Sequence, residues 1–174
     1  MKAKFPLHLA FPLVLTACIT YIKWFKRHNL PLTSDDIVSF EVAGTPQQAQ
    51  AILDSWAQQG LTQAFLSSIY WDYPFILLYT ATIILGCWWA AGLTRRSVLV
   101  RIGNRISGGL ILAGLADVIE NLAMTYSVLH APKYWSTQLA AVAAYLKFGI
   151  LAIGLLYFLF CLIFALVQKL RSED

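Results

Sequence analysis

Asp117, Glu120 and Asn121 fall inside the run from Ile106 to Tyr126, which otherwise reads as a membrane-spanning helix. Their i, i+3, i+4 spacing puts all three on one helix face, continued by Met124. A carboxylate near a bilayer centre costs at least ~2.5 kcal/mol, so such residues need a partner or a task. Lys147 stands in another apolar run and Asp72 at the head of a third. Groups of this kind, held out of water, can do three things. They can pair and fix helix register, meet the polar head of a ligand, or exchange protons as general acid and base.

Lys147 is the one cation inside the apolar runs, so it is expected to pair with Asp117 or Glu120. Three acids against one base leave at least one carboxyl protonated, hydrated or ligand-bound, since burial disfavours the charged form. Glu120 and Asp117 are the candidates for acid/base catalysis. Asp72, Asp117, Glu120, Asn121 and Lys147 are the candidate ligand contacts. Tyr73, Tyr79 and Tyr145, with Tyr70 and Trp71, are expected to supply an aromatic wall. Whether the chain is an enzyme stays open.

Other chemistries lack their residues. Ser67 and Ser68 have no suitably placed histidine, and there is no phosphate loop and no HExxH. His8, His28 and His130 are scattered, and Cys18, Cys87 and Cys161 lie in three separate apolar runs. No metal site, haem or other cofactor, and no disulfide, is expected.

The elements that must position these groups follow from composition. The 174 residues are 59% hydrophobic and 13% charged, with a mean hydropathy of +0.64. That is too apolar for an ordinary soluble domain. A span takes roughly 20 residues, and four candidates stand out, at about 5–22, 71–92, 106–126 and 138–167. The expected fold is all-α: a single integral-membrane domain built as a four-helix transmembrane bundle.

The net charge of +4 does not mark a nucleic-acid partner, because the basic residues cluster by loop. Arg95, Arg96, Arg101 and Arg105 share one short link with Lys2, Lys4, Lys169 and Arg171 on the same side. Lys23, Lys26, Arg27 and Lys133 fall on the other. Basic short loops stay cytoplasmic, so both termini are expected inside and the 23–70 loop outside, in a bacterial inner membrane. Leu15-Thr-Ala-Cys18 also fits a lipoprotein signal with Cys18 lipidated. Apolarity continues through Ile22, however, and a retained first helix is the expectation.

Within the 23–70 loop, Thr45 can cap a helix with Pro46 at its first position. Ala49, Ile52, Leu53 and Trp56 then form one apolar stripe, and Gly60 is a natural stop. This short amphipathic helix is expected to pack on the protein's own spans. Thr62 can cap the next helix, in which Pro74 would loosen carbonyls beside Asp72. Counting from the inner boundary puts Asp72 and Lys147 near the outer interface, Glu120 and Asn121 some ~6–9 Å deeper, and Asp117 near the midplane. Gly108, Gly109, Ala113 and Gly114 are expected to let helices approach closely.

Phe40-Glu-Val-Ala43 ahead of the amphipathic helix, Asp72-Tyr-Pro-Phe-Ile76 with Tyr79, and Ala116-Asp-Val-Ile-Glu-Asn121 together resemble a group of uncharacterised bacterial four-span membrane proteins. The resemblance covers most of the chain from about residue 38 and implies the four-span plan, without an activity. The expected function is an outward-facing, acid-lined pocket that binds an amphipathic lipid or isoprenoid-like small molecule. Three alternatives stay open: an accessory subunit of a larger membrane complex, an acid/base enzyme acting on a lipid, and a proton-coupled carrier. Assembly with other subunits or with further copies of the chain also stays open.

Overall fold

A computed structural model of the chain describes residues 7–28 and 32–172, the side chains of 26–28 excepted. Lys2, Lys4, the first residues of the expected first span, and the Lys26 and Arg27 side chains lie outside the described residues. Helices dominate, as they must where lipid offers the backbone no hydrogen-bond partner. Their order is α1 (Leu7–His28), α2 (Ser34–Glu41), α3 (Pro46–Gln58), α4 (Thr62–Leu93), α5 (Ser97–His130) and α6 (Tyr134–Arg171). Helices α1, α4, α5 and α6 are long and apolar enough to cross a membrane. The 38 residues of α6 extend over about 57 Å at 1.5 Å per residue, well beyond a ~30 Å hydrocarbon core. Large apolar side chains cover their outward faces, with Leu13 72% and Leu156 67% exposed. A surface of that kind belongs in lipid. The protein is an integral membrane protein with four spans.

The helices extend beyond the spans expected within them: α1 continues to His28 and α4 begins at Thr62, so residues 29–61 join these two helices. Thr62 is the first residue of α4 rather than its cap, which is Leu61 without a side-chain bond. The polar stretch 33–36 opens α2, with Thr33 as its cap. There the Asp36 N–H donates to Thr33 Oγ1 (3.2 Å) and the Thr33 N–H to Asp36 Oδ2 (2.9 Å). This is a capping box with aspartate in the usual glutamate position. Those bonds from the Thr33 hydroxyl and backbone hold the Asp36 carboxyl below its usual range.

α3 forms as its residues dictate. Thr45 caps it by accepting from the Gln48 N–H at 3.3 Å, and Gly60 past its end takes a φ of +70°. Ala49 and Trp56 are buried, with Ile52 and Leu53 partly so, against Phe40 of α2, Phe65 and Ile69 of α4, Met124 of α5 and Ala140 of α6. The Trp56 and Phe65 rings lie 4.6 Å apart between centroids, and Phe40 packs on both. Gln138 Nε2 donates to the Gly44 carbonyl at 2.6 Å, tying the α2–α3 corner to α6. α2 and α3 together cap one end of the bundle.

Links of three residues join α4 to α5 and α5 to α6, which makes these helices antiparallel neighbours. All three pack on one another, and α1 lies mainly along α4. The Tyr21 hydroxyl of α1 donates to the Trp71 carbonyl in the turn ahead of Pro74. Pro74 itself leaves the Tyr70 carbonyl, one residue earlier, without its helical donor. Close approach depends on Gly114 and Gly154. A Cβ at Gly114 would sit 2.9 Å from Thr80 Oγ1, and one at Gly154 2.9 Å from Leu110 Cδ2. Gly108, expected to serve the same purpose, has nothing within 4 Å of its Cβ position. The three cysteines are free and buried.

Candidate functional site

Asp117, Glu120, Asn121 and Met124 form a buried stripe on α5, as their spacing requires. Two further helices present polar groups to that stripe. Asp72 and Tyr79 are seven residues apart on α4, hence on nearly the same face. Lys147 comes from α6, where Ala140, Ala143 and Ala144 are also buried and leave room for its long side chain. The fourth contribution comes from outside the spans: Glu41, the last residue of α2.

The geometry centres on Lys147. Its Nζ donates to Asp117 Oδ1 at 3.0 Å and to Glu120 Oε1 at 2.9 Å. Glu41 Oε1 stands 3.7 Å away. Both Glu120 oxygens are 2.9 Å from the ammonium, but only Oε1 meets it with hydrogen-bond geometry. Glu120 Oε2 and Glu41 Oε2 are buried without a donor. The Tyr79 hydroxyl donates to Asp117 Oδ2 at 2.6 Å, and Asn121 Nδ2 to Asp72 Oδ2 at 2.8 Å. The Phe148 ring lies 4.7 Å from the Lys147 ammonium, close enough for a cation–π contact. Burial pushes the Glu41 carboxyl above its usual range, with Lys147 drawing it back.

Beside this network lies a cavity of about 400 Å³, walled by α1, α2, α4, α5 and α6. That is within the ~300–1,000 Å³ typical of small-molecule sites. Glu41, Asp72, Tyr79, Asp117, Asn121 and Lys147 line it together with the hydroxyls of Ser34 and Ser68; the remainder is aliphatic or aromatic, with Phe25, Phe75 and Phe148 among the rings. Glu120 does not line it. This side chain is fully buried, placed to hold Lys147 rather than to touch a ligand.

The expected site residues therefore divide. Asp72, Asp117, Asn121, Lys147 and Tyr79 come together at the cavity. Tyr73 packs instead into the cluster beneath α3. Tyr145 is 65% exposed; two residues from Lys147, it points roughly 200° away around the helix. Tyr70, also expected in the aromatic wall, is exposed as well. Lys147 meets both Asp117 and Glu120, where pairing with one or the other was expected.

Glu41 is the site residue that sequence reasoning missed. Its signal was present: Ile37, Phe40 and Glu41 share one face of α2, so an acid interrupts an apolar stripe. The acids converge on an ammonium rather than an empty centre, and among the described residues no three His, Cys, Asp or Glu groups are placed to hold a metal ion. Four carboxyls against one ammonium make the site acidic and rich in acceptors. No protein-family model, curated protein or solved structure matches the chain.

Proposed function

We propose that this protein binds an amphipathic lipid or isoprenoid-like small molecule in the acid-lined cavity. The polar head of that ligand carries hydrogen-bond donors or a positive charge. One observation carries the reading: Asp72 lines a mostly apolar cavity, and among the described residues only one of its oxygens accepts a hydrogen bond. Both Asp117 oxygens already accept, from Lys147 and Tyr79, so the acceptors left for a ligand at the cavity are Asp72 and the second oxygen of Glu41. Apolar walls would take the hydrocarbon part. Native mass spectrometry of gently purified protein tests this. A defined small molecule is expected to co-purify, with occupancy about tenfold lower in Asp72→Asn, the loss of one charge-assisted contact. Bulk phospholipid alone, with no species lost on that substitution, would instead favour an accessory subunit of a larger complex.

A second reading, proton-coupled transport or acid/base catalysis on the same ligand, has one observation in its favour. The Glu41 and Glu120 carboxyls lie within hydrogen-bonding reach, and each has an oxygen with no donor. A proton held between them would satisfy both. Under this reading, Glu120→Gln abolishes turnover or pH-driven uptake while binding persists.

In the same proposal the cavity end faces away from the cytoplasm of a bacterial inner membrane, because the arginine-rich link lies at the other end. A reporter active only outside the cytoplasm should work when fused near Gly44 or Pro132 and be silent near Ser97. The reverse pattern would invert the orientation.

A further inference from the structure

A larger concavity, of about 700 Å³, lies at the opposite end of the bundle, where α4 turns into α5 beside the last turns of α6. Its lining combines Arg95, Arg96, Gln168 and Lys169 with apolar Leu93 and Leu166. We propose that this concavity binds the phosphate-bearing head group of an anionic lipid, whose acyl chains lie along the apolar residues.

Two separate stretches of chain, 95–96 and 169, bring three cations to one concavity, and none of them is ion-paired among the described residues. Counting this whole end, Arg95, Arg96, Arg101, Arg105, Lys169 and Arg171 face only Glu173 and Asp174 in sequence, so positive charge is in excess. Converging cations repel one another unless an anion lies between them, and guanidinium forks match phosphate oxygens in bidentate fashion. Arg95 also takes a φ of +54°. Arg96 occupies the N-cap of α5 without a side-chain cap, leaving first-turn N–H groups at the same corner for an anion. Leu93 and Leu166 are exposed. A site for free phosphate would have no use for an apolar half, whereas a lipid would fill both.

The test uses the full chain in neutral detergent, followed by native mass spectrometry. Phosphatidylglycerol, phosphatidylcholine and inorganic phosphate are added in separate arms. Phosphatidylglycerol adducts should exceed phosphatidylcholine adducts, and inorganic phosphate should not be retained. Arg96→Gln with Lys169→Gln should cut phosphatidylglycerol retention about tenfold. Arg101→Gln with Arg105→Gln removes the same charge from the same end, outside the concavity, and should leave retention within about twofold. Because all four side chains are exposed, both double variants should fold. Equal losses in the two variants would reduce the effect to general surface charge and overturn the site. So would the absence of any preference for the anionic lipid. Retention of inorganic phosphate as strong as that of lipid would make it a free-anion site and overturn the lipid assignment.

Discussion

Lys147→Met is expected to lower stability in detergent by about 3–5 kcal/mol, the cost of stranding buried carboxylates without their counter-charge. Lys147 is the ammonium at 2.9–3.0 Å from both Asp117 and Glu120, so its loss leaves two acids without that partner together. The double variants should rank. Asp117 keeps the Tyr79 hydroxyl as a donor, whereas Glu120 is fully buried and, among the described residues, accepts a hydrogen bond from Lys147 alone. Adding Glu120→Gln should therefore restore more stability than adding Asp117→Asn. Thermal unfolding of the single and double variants decides this. Recovery in neither double would rule out direct pairing as the source of the loss.

The same variant has a predictable pH dependence. Glu41, outside the spans, is already held above its usual range by burial, with Lys147 opposing that shift; removing Lys147 lets it rise further. A carboxyl whose native pKa exceeds its unfolded value contributes stability that is complete at low pH. That contribution is lost as pH rises through the native value. The deficit of Lys147→Met relative to the parent should therefore be smallest in acid and widen above the ordinary glutamate range. A deficit independent of pH would show that lost packing, not stranded charge, is its cause.

Trp56→Ala should cost about 3–5 kcal/mol, the usual range for deleting a buried indole. Its effect should also be local. Trp56 joins Phe40 of α2 to Phe65 of α4, so its removal loosens the α2–α3 cap while leaving the spans in place. The cap carries Glu41 and part of the cavity wall. Limited proteolysis should accordingly cleave within 42–61 in the variant and not in the parent. Any co-purifying ligand should be lost with the cap. Gln47→Ala, on the exposed side of α3, should stay within about 0.5 kcal/mol and resist protease. Protease resistance in Trp56→Ala would mean that the cap is held chiefly elsewhere, as by the Gln138–Gly44 bond.

Much of this architecture was legible in the amino-acid order because it obeys local rules. Length and hydropathy alone imply four spans, since lipid forces each apolar run to satisfy its own backbone. Thr45, Pro46 and Gly60 bound α3 through caps and turn geometry that involve neighbouring residues only. The 117, 120, 121 stripe follows from helical period, and burial alone makes Lys147 seek an acid. Which partners meet is another matter. Asn121 and Asp72 are 49 residues apart and Tyr79 and Asp117 38 apart, distances over which periodicity fixes a face but not what stands opposite it. Tertiary packing alone brought Glu41 into the cluster and withdrew Glu120 behind the cavity wall. Packing also turned Tyr145 outward and joined Arg95 and Arg96 to Lys169. In each case the deciding quantity is the relative rotation and height of two helices. Side-chain volumes at the contacts, such as the missing Cβ atoms of Gly114 and Gly154, set that quantity, and it has no signature within either helix alone.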